Sequence, residues 1–140
     1  MPKRTGVPPE ATSSEAILGG ATDALNRGDL DDFLSWMHPK VEFKSLIAEA
    51  EGETFRGHEG VRAWWGSVRN TFADARWDYQ EVRIWGDRGI AKVRITGAIS
   101  GVQLEQTMWQ AFAQRDGKAV WWEFFRTEEE AAEAVRPTHP

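Results

Sequence analysis

The sequence predicts one small α+β domain: a cone-shaped, strongly curved, mainly antiparallel sheet wraps around about three N-terminal helices, and a short C-terminal helix follows. Apolar residues recur at helical spacing up to residue 72, and the period then changes to two, as in half-buried strands. The 140 residues fit a single domain that can bury a core without a metal or a disulfide. Three amphipathic helices cannot cover both faces of a sheet, so we expect them to lie inside its curve.

The folded domain is expected to span residues 13–136. Residues 1–11 contain three of the six prolines and lack periodicity, which is typical of mobile termini. We therefore expect a disordered tail over residues 1–12, without a signal peptide, because no apolar segment follows the basic residues. Residues 137–140 are expected to form a frayed end.

Three helices are predicted in the first half of the chain. The first begins at Ser13–Glu15 and ends at Gly28. The second follows the cap residue Asp29, carries Met37 as the last residue of its apolar face, and stops at His38-Pro39. The third covers residues 58–72, with an apolar stripe of Val61, Trp64, Trp65, Val68 and Phe72.

The second half of the sequence predicts a meander of long strands. Two short strand segments, 41–44 and the residues just before Gly57, flank an expected irregular loop over residues 45–52. Residues 76–85 form a strand with a bulge near Gln80-Glu81, where the alternation slips by one residue. Strands over 91–99, 103–115 and 119–126 follow, with Asp116-Gly117 as a hairpin turn. Thr127 caps a terminal helix over residues 128–135.

Composition excludes several classes of function. The net charge of −5 argues against a nucleic-acid partner, and no apolar run approaches the roughly 20 residues that span a bilayer. The absence of cysteine excludes a thiol nucleophile and suits a cytoplasmic location. No phosphate-binding loop, dinucleotide glycine pattern, nucleophile elbow or zinc motif occurs. We therefore expect no cofactor, no metal and no membrane partner.

Aromatic residues are the unusual feature, with eight Trp beside seven Phe and one Tyr. They can form an aromatic core together with an oligomer interface, or an aromatic wall around a ligand, and the two can coexist.

Several stretches resemble a known family. They are HPKVEF at 38–43, FRGHEGVRAWW at 55–65, GDR at 86–88, LEQ at 104–106, RDGK at 115–118 and EEEA at 128–131. Over about Ser14–Val135 the chain is similar to the SnoaL-like group of the nuclear-transport-factor-2-like superfamily. The resemblance implies the cone-shaped fold with one apolar pocket, on which the superfamily places isomerases, cyclases, epoxide hydrolases, dehydratases and non-catalytic binders.

The acid–base residues of the related enzymes do not carry over. The His and Asp of the polyketide cyclases correspond to Gln110 and Phe124, and the base of the ketosteroid isomerases falls near Phe43-Lys44-Ser45. Neither a glutamine nor a phenylalanine has a useful pKa. The catalytic residues and enzyme status therefore stay open.

The resemblance implies one inward-facing row on each of the last two long strands. The opposite register, which would turn Trp109 and Trp121 inward, is the alternative. Polar groups among these apolar walls can orient a ligand or form a satisfied polar cluster without one. The candidate pocket residues are Phe43, Trp64, Trp77, Tyr79, Val93, Gln106, Met108, Gln110, Trp122, Phe124 and Arg126.

Two other candidates have a structural alternative. Glu42 is either a pocket base or half of an ion pair with Arg56, and the alternation of Val41 and Phe43 favours the ion pair. His58 is either a general base or a hydrogen-bonding residue at the start of the third helix, and the second role is favoured.

The outer sheet face is expected to form a homodimer. In the favoured register Trp109 and Trp121 lie on that face, and exposed aromatic patches mark interfaces. Three functions remain: a pocket that binds a small hydrophobic molecule; a cofactor-free isomerase, cyclase or hydrolase on a small apolar, polyketide- or steroid-like substrate; and a dimerisation module without a ligand.

Overall fold

A computed structural model describes residues 9–45 and 54–136, which form four helices and a six-stranded sheet. The elements are α1 (Pro9–Arg27), α2 (Leu30–Ser35), β1 (Met37–Lys44), β2 (Thr54–Arg56), α3 (Gly57–Thr71), β3 (Ala73–Trp85), β4 (Arg88–Ile99), β5 (Val102–Arg115), β6 (Lys118–Phe125) and α4 (Glu128–Val135). The sheet order is β2-β1-β6-β5-β4-β3, and all neighbours are antiparallel except β1 and β6, which run parallel. The α+β fold class is therefore confirmed.

Several element boundaries differ from the sequence pattern, and β3 at Ala73 and β4 at Arg88 each begin three residues before the predicted start. The helix α1 begins at Pro9, four residues before the predicted start. The helix α2 ends at Ser35, and Met37 is the first residue of β1 rather than the end of the helical face. The physical reason is sheet pairing, because Met37 pairs with Ala119 and the Ala119 amide donates to the Trp36 carbonyl at 2.8 Å. The domain limits at residues 13 and 136 stay a prediction.

The predicted bulge in the first long strand is confirmed. The register between β3 and β4 shifts between Tyr79 and Glu81, so the side-chain alternation changes there. Ser45, the first residue of the expected loop, is buried and lies at the end of β1. Residues 46–52 lie outside the described residues.

The helices α1, α2 and α3 contribute to the core on the concave face of the sheet. One apolar cluster joins buried residues of these helices to the inner row of every strand from β3 to β6 and to β1. The members that come from the first three helices are Ile17, Leu18, Ala21, Ala24, Leu25, Phe33, Leu34, Val61, Trp64 and Val68.

The outer face carries a second, smaller cluster beneath α4. Trp109 packs there with Ile90 and Ala111 of the sheet and with Ala131 and Val135 of α4. Trp109 is only 9% exposed. The expectation that it would lie open at the centre of a dimer interface is corrected: it does lie on the outer face, but α4 of the same chain already covers it.

A side-chain clamp closes part of the edge strand β3. Asn26 of α1 donates from Nδ2 to the Trp77 carbonyl at 2.9 Å and accepts at Oδ1 from the Trp77 amide at 2.8 Å. The side chain thus replaces one residue of a neighbouring strand. Because exposed edges invite pairing with other chains, the clamp both anchors α1 and blocks β3 at this point.

We predict that Asn26→Ala lowers the free energy of unfolding by about 1–3 kcal/mol, because two hydrogen bonds are lost and the backbone groups of a buried residue are left unpaired. Urea denaturation measures the change. The matched control is Asn70→Ala on the exposed surface of α3, which should change stability by less than about 0.5 kcal/mol. Equal effects of the two variants would contradict the clamp.

Candidate ligand-binding site on the concave face

The concave face of the β4–β5 hairpin is open at one end and closed at the other. The pairing of β4 with β5 runs without a register shift, so Val102, Leu104, Gln106, Met108 and Gln110 share one row. Val102 and Leu104 are 59% and 43% exposed, whereas Met108 and Gln110 are buried. The row therefore leads from an open apolar rim to a buried polar group.

Aromatic rings fill the closed end. Phe43 of β1 lies 4.4 Å from Trp64 of α3, measured between ring centroids, and stacks on Trp122 of β6 at 6.1 Å with an interplanar angle of 10°. Phe112 contacts the other side of this group at 6.2 Å from Trp122. The Trp64 indole donates to the Ser45 hydroxyl at 3.0 Å. The closed end is thus tightly packed and mostly apolar.

Tyr79 and Gln110 form the polar centre of the face. The Tyr79 hydroxyl donates to Gln110 Oε1 at 2.5 Å. Gln110 is fully buried, and its Nε2 finds no hydrogen-bond partner among the described residues. An amide nitrogen has two donor hydrogens, and no described residue accepts either of them.

Two further donors lie on the same face. The indole nitrogens of Trp77 and Trp122 are buried and have no acceptor in the part of the chain that the structure describes. Both residues belong to the concave core. Since most buried polar groups in proteins are hydrogen-bonded, three orphan donors on one face are a notable departure. All three N–H groups are hydrogen-bond donors only, so each can bind only a hydrogen-bond acceptor.

Tyr79 is held in its neutral form. Burial of the hydroxyl raises the pKa of Tyr79 well above that of a free phenol, and hydrogen bonding to Thr22 and Gln110 opposes the shift only in part. The residue as a whole is half-buried, whereas its hydroxyl is buried. At neutral pH Tyr79 is therefore a hydrogen-bond donor, not a base.

The predicted pocket residues fall into three groups. Gln106 is exposed at the rim, and Arg126 is exposed beyond the end of β6, so neither lines the buried part of the face. Tyr79 is half-buried beside Gln110. The remaining residues are brought together in the buried core of the concave face: Phe43, Trp64, Trp77, Val93, Met108, Gln110, Trp122 and Phe124.

The pocket residues predicted from the sequence do not include those at the rim of the site or those on its helix side. Val102 and Leu104 follow the period-two alternation that predicts an inward row, and this signal was available in the sequence. The side chain of Thr22 on α1 is hydrogen-bonded to the Tyr79 hydroxyl. The Thr22 hydroxyl also donates to the Leu18 carbonyl at 2.6 Å. No sequence pattern marks that contact, because it depends on how α1 crosses β3.

The other candidates take structural roles. Arg56 donates to Glu42 Oε2 at 2.6 Å in an exposed ion pair that joins β1 and β2. His58 Nε2 lies 2.9 Å from the Met37 carbonyl oxygen, which ties the start of α3 to β1. Among the described residues, the buried polar side chains are Ser14, Ser45, Gln110 and Gln114, so no buried residue in that set carries a charge.

Two kinds of feature are absent from the described residues. Across residues 9–45 and 54–136, no three or more His, Cys, Asp or Glu side chains are grouped so as to hold a metal ion. Within the same ranges, none of the helices combines the length and the apolar character that a bilayer-crossing segment needs.

Comparison of the backbone with solved structures places the fold. A structure of TerC co-crystallised with polyporic acid matches with a TM-score of 0.74 and 21% identity, covering 89% of this chain and 99% of that one. A putative SnoaL-like polyketide cyclase from Jannaschia sp. CCS1 matches at 0.72 and 19%, covering 97% and 99%. An LEH-like epoxide hydrolase of M. tuberculosis matches at 0.71 and 12%, covering 91% and 92%. At these identities the likeness shows a common fold.

The sequence itself shows the family. The model of the SnoaL-like domain matches residues 20–122, which is most of the folded chain, and the protein belongs to that family. No curated protein matched the sequence. The cone-shaped fold and the family membership that the residue patterns implied are therefore confirmed, and neither of them specifies a reaction.

Tyr79 is the only tyrosine in the chain, so its ionisation can be followed alone. We predict no tyrosinate absorbance at 295 nm in the folded protein at pH 10, where half of a free phenol is ionised, because burial raises the pKa of Tyr79. A phenol whose pKa is raised by folding stabilises the fold fully below its unfolded pKa near 10. That contribution is lost as the pH rises above this value.

Tyr79→Phe is the control for this titration. It should show no change in absorbance at 295 nm and no stability loss of this origin in the same alkaline range. Half-ionisation of Tyr79 near pH 10 in the folded protein would contradict the buried position of its hydroxyl.

Proposed function

We propose that this protein binds a small, mainly apolar molecule on its concave face and holds an acceptor oxygen of that molecule at Gln110 Nε2. The observation that carries the proposal is the buried amide nitrogen without a partner, beside a tyrosine that fixes the amide's orientation. The Tyr79 hydroxyl occupies Oε1, so Nε2 is the side of the amide left to a ligand.

The free-energy cost of the unpaired Gln110 Nε2 donor favours an occupied site. A buried donor left without a partner costs about 1–3 kcal/mol. A ligand carbonyl, ether or hydroxyl oxygen removes that cost, whereas a purely apolar molecule does not. Selectivity for an oxygen-bearing ligand follows from the protein's own unpaired group.

The apolar part of the ligand is matched by the open half of the row. Val102 and Leu104 expose apolar surface at the rim, and Ile95 of β4 pairs with Gln106 between the rim and Met108. Covering apolar surface contributes about 25 cal/mol per Å². A ligand seated here would lie along β5, with its oxygen toward Gln110 and its apolar body toward the rim.

Binding is favoured over catalysis on the residues present. A cofactor-free isomerase, cyclase or hydrolase needs a group that takes or gives a proton near neutral pH. The buried residues described on this face supply none, since the resemblance assigns the cyclase positions to Gln110 and Phe124, which have no useful pKa, and Tyr79 stays neutral. The neighbours described as a polyketide cyclase and an epoxide hydrolase support a small-molecule site on this fold, without assigning their reactions to this chain.

Two finer expectations remain predictions. A homodimer through the outer face would now rest on the half-buried Trp121, since α4 covers Trp109. A cytoplasmic location rests on the cysteine-free composition alone.

We test the proposal with two compounds of the same shape, 1-tetralone and tetralin, of which only the ketone carries an acceptor. Calorimetry gives the dissociation constant of each for the wild-type protein and for the double variant Tyr79→Phe/Gln110→Met. The double variant removes the polar pair together, so that no hydroxyl is left without its partner. We expect the preference for the ketone over the hydrocarbon to fall at least fivefold, which corresponds to about 1 kcal/mol.

The control is Gln103→Met, which changes the same residue type on the same strand, in the row that faces the other side. It should leave the preference unchanged. Failure of both compounds to saturate the wild-type protein, or an unchanged preference in the double variant, would overturn the proposal.

A further inference from the structure

A groove on the outer side of the sheet is separate from the site on the concave face. It has a volume of about 590 Å³ and lies between the end of β3 and α4, lined by Trp85, Asp87, Arg88, Ala132, Val135 and Arg136. Arg83, two residues before Trp85 and on the same side of β3, lies over Trp109 and pairs with Glu128 of α4. The groove is therefore on the face opposite to Gln110.

The apolar part of the groove is built around an exposed indole. Trp85 is 52% exposed, which makes it a large open ring in the described structure. Val135 and the half-buried Ala132 form the opposite wall. A volume of this size falls in the range of small-molecule pockets. A flat aromatic molecule would stack on Trp85 and contact the aliphatic wall of α4.

The charged part of the groove favours an anion. Two guanidinium groups and one carboxylate line it, so an anion that displaces Glu133 from Arg136 would face two positive groups and one negative group. Arg88 Nη1 donates to the Val135 carbonyl at 3.3 Å, while its Nε is 3.8 Å from Asp87 Oδ1. The guanidinium group of Arg88 is thus held at the edge of the groove by its hydrogen bond to α4. The Asp87 carboxylate is too far from Arg88 Nε to accept a hydrogen bond from it.

Arg136 has a weak partner that a ligand can replace. Its Nη1 lies 3.1 Å from Glu133 Oε2, with side chains 66% and 68% exposed. Exposed pairs of this kind contribute little, because water screens them. A ligand carboxylate that displaces Glu133 would instead accept charge-assisted hydrogen bonds from Arg136, with Arg88 lining the same groove.

We propose that this groove binds a small aromatic carboxylate, with the ring on Trp85 and the carboxylate between Arg88 and Arg136. The proposal is independent of the function assigned to the concave face. It identifies a second ligand site on the other side of the sheet, for a ligand of different chemistry.

The test uses 2-naphthoate, with 2-naphthalenemethanol as the neutral compound of the same ring system. Nitrogen-15 spectra resolve the indole N–H signals, and the one missing in Trp85→Phe identifies Trp85. We expect the Trp85 signal to move saturably with 2-naphthoate. The dissociation constant, measured by calorimetry for every variant, should increase at least fivefold in Trp85→Ala and in Arg136→Gln, and it should rise with salt because the carboxylate contact is electrostatic.

The control variants separate this groove from other surfaces. Arg76→Gln removes an exposed arginine of β3 away from the groove and should leave 2-naphthoate binding unchanged. The double variant Tyr79→Phe/Gln110→Met should also leave it unchanged. Three results would overturn the proposal: equal binding of the alcohol, no effect of Arg136→Gln, or a Trp85 signal that moves with protein concentration alone, which would assign the groove to a second copy of the chain.

Discussion

The stacking of Trp122 on Phe43 joins the last strand of the sequence to the first. These rings lie on β6 and β1, which are far apart in sequence and form the parallel pair of the sheet. Trp64 brings α3 onto the same contact. Parallel pairing supplies no hairpin to hold the strands together, so the hydrogen bonds of the ladder and side-chain burial must hold them. Loss of a buried aromatic side chain of this size typically costs about 3–5 kcal/mol.

The position of this aromatic group determines where the concave face can accept a ligand. The rings fill the end of the sheet near β1, and the free apolar row of β5 lies at the other end. Gln110 lies between the aromatic rings and the free apolar row. It is flanked by Phe124 of β6 on one side and by Ala91 of β4 on the other. A polar side chain enclosed by apolar neighbours cannot reach bulk water, so its unpaired nitrogen depends on Tyr79 for orientation and on a ligand or a bound water for a partner.

Periodicity predicted most of the fold, and the resemblance to the SnoaL-like family supplied its shape. The switch to period two after residue 72, the bulge after Tyr79 and the turn residues are local signals, and the structure follows them. Met37 was misplaced because its strand pairing depends on Ala119, which no local pattern shows. The resemblance placed Trp109 on the outer face, but it does not say what covers that face, and α4 covers it. The Tyr79–Gln110 contact likewise joins residues 31 positions apart.

The central claim is that Gln110 Nε2 contacts the oxygen-bearing end of a ligand on the concave face. Intermolecular nuclear Overhauser effects between bound 1-tetralone and isotope-labelled protein test it most directly. We expect contacts from the Gln110 side-chain amide protons to the ligand protons beside the carbonyl group, and from Leu104 to the saturated ring. Contacts confined to Trp85 and α4, or a bound ligand with its carbonyl group directed away from Gln110, would contradict the account.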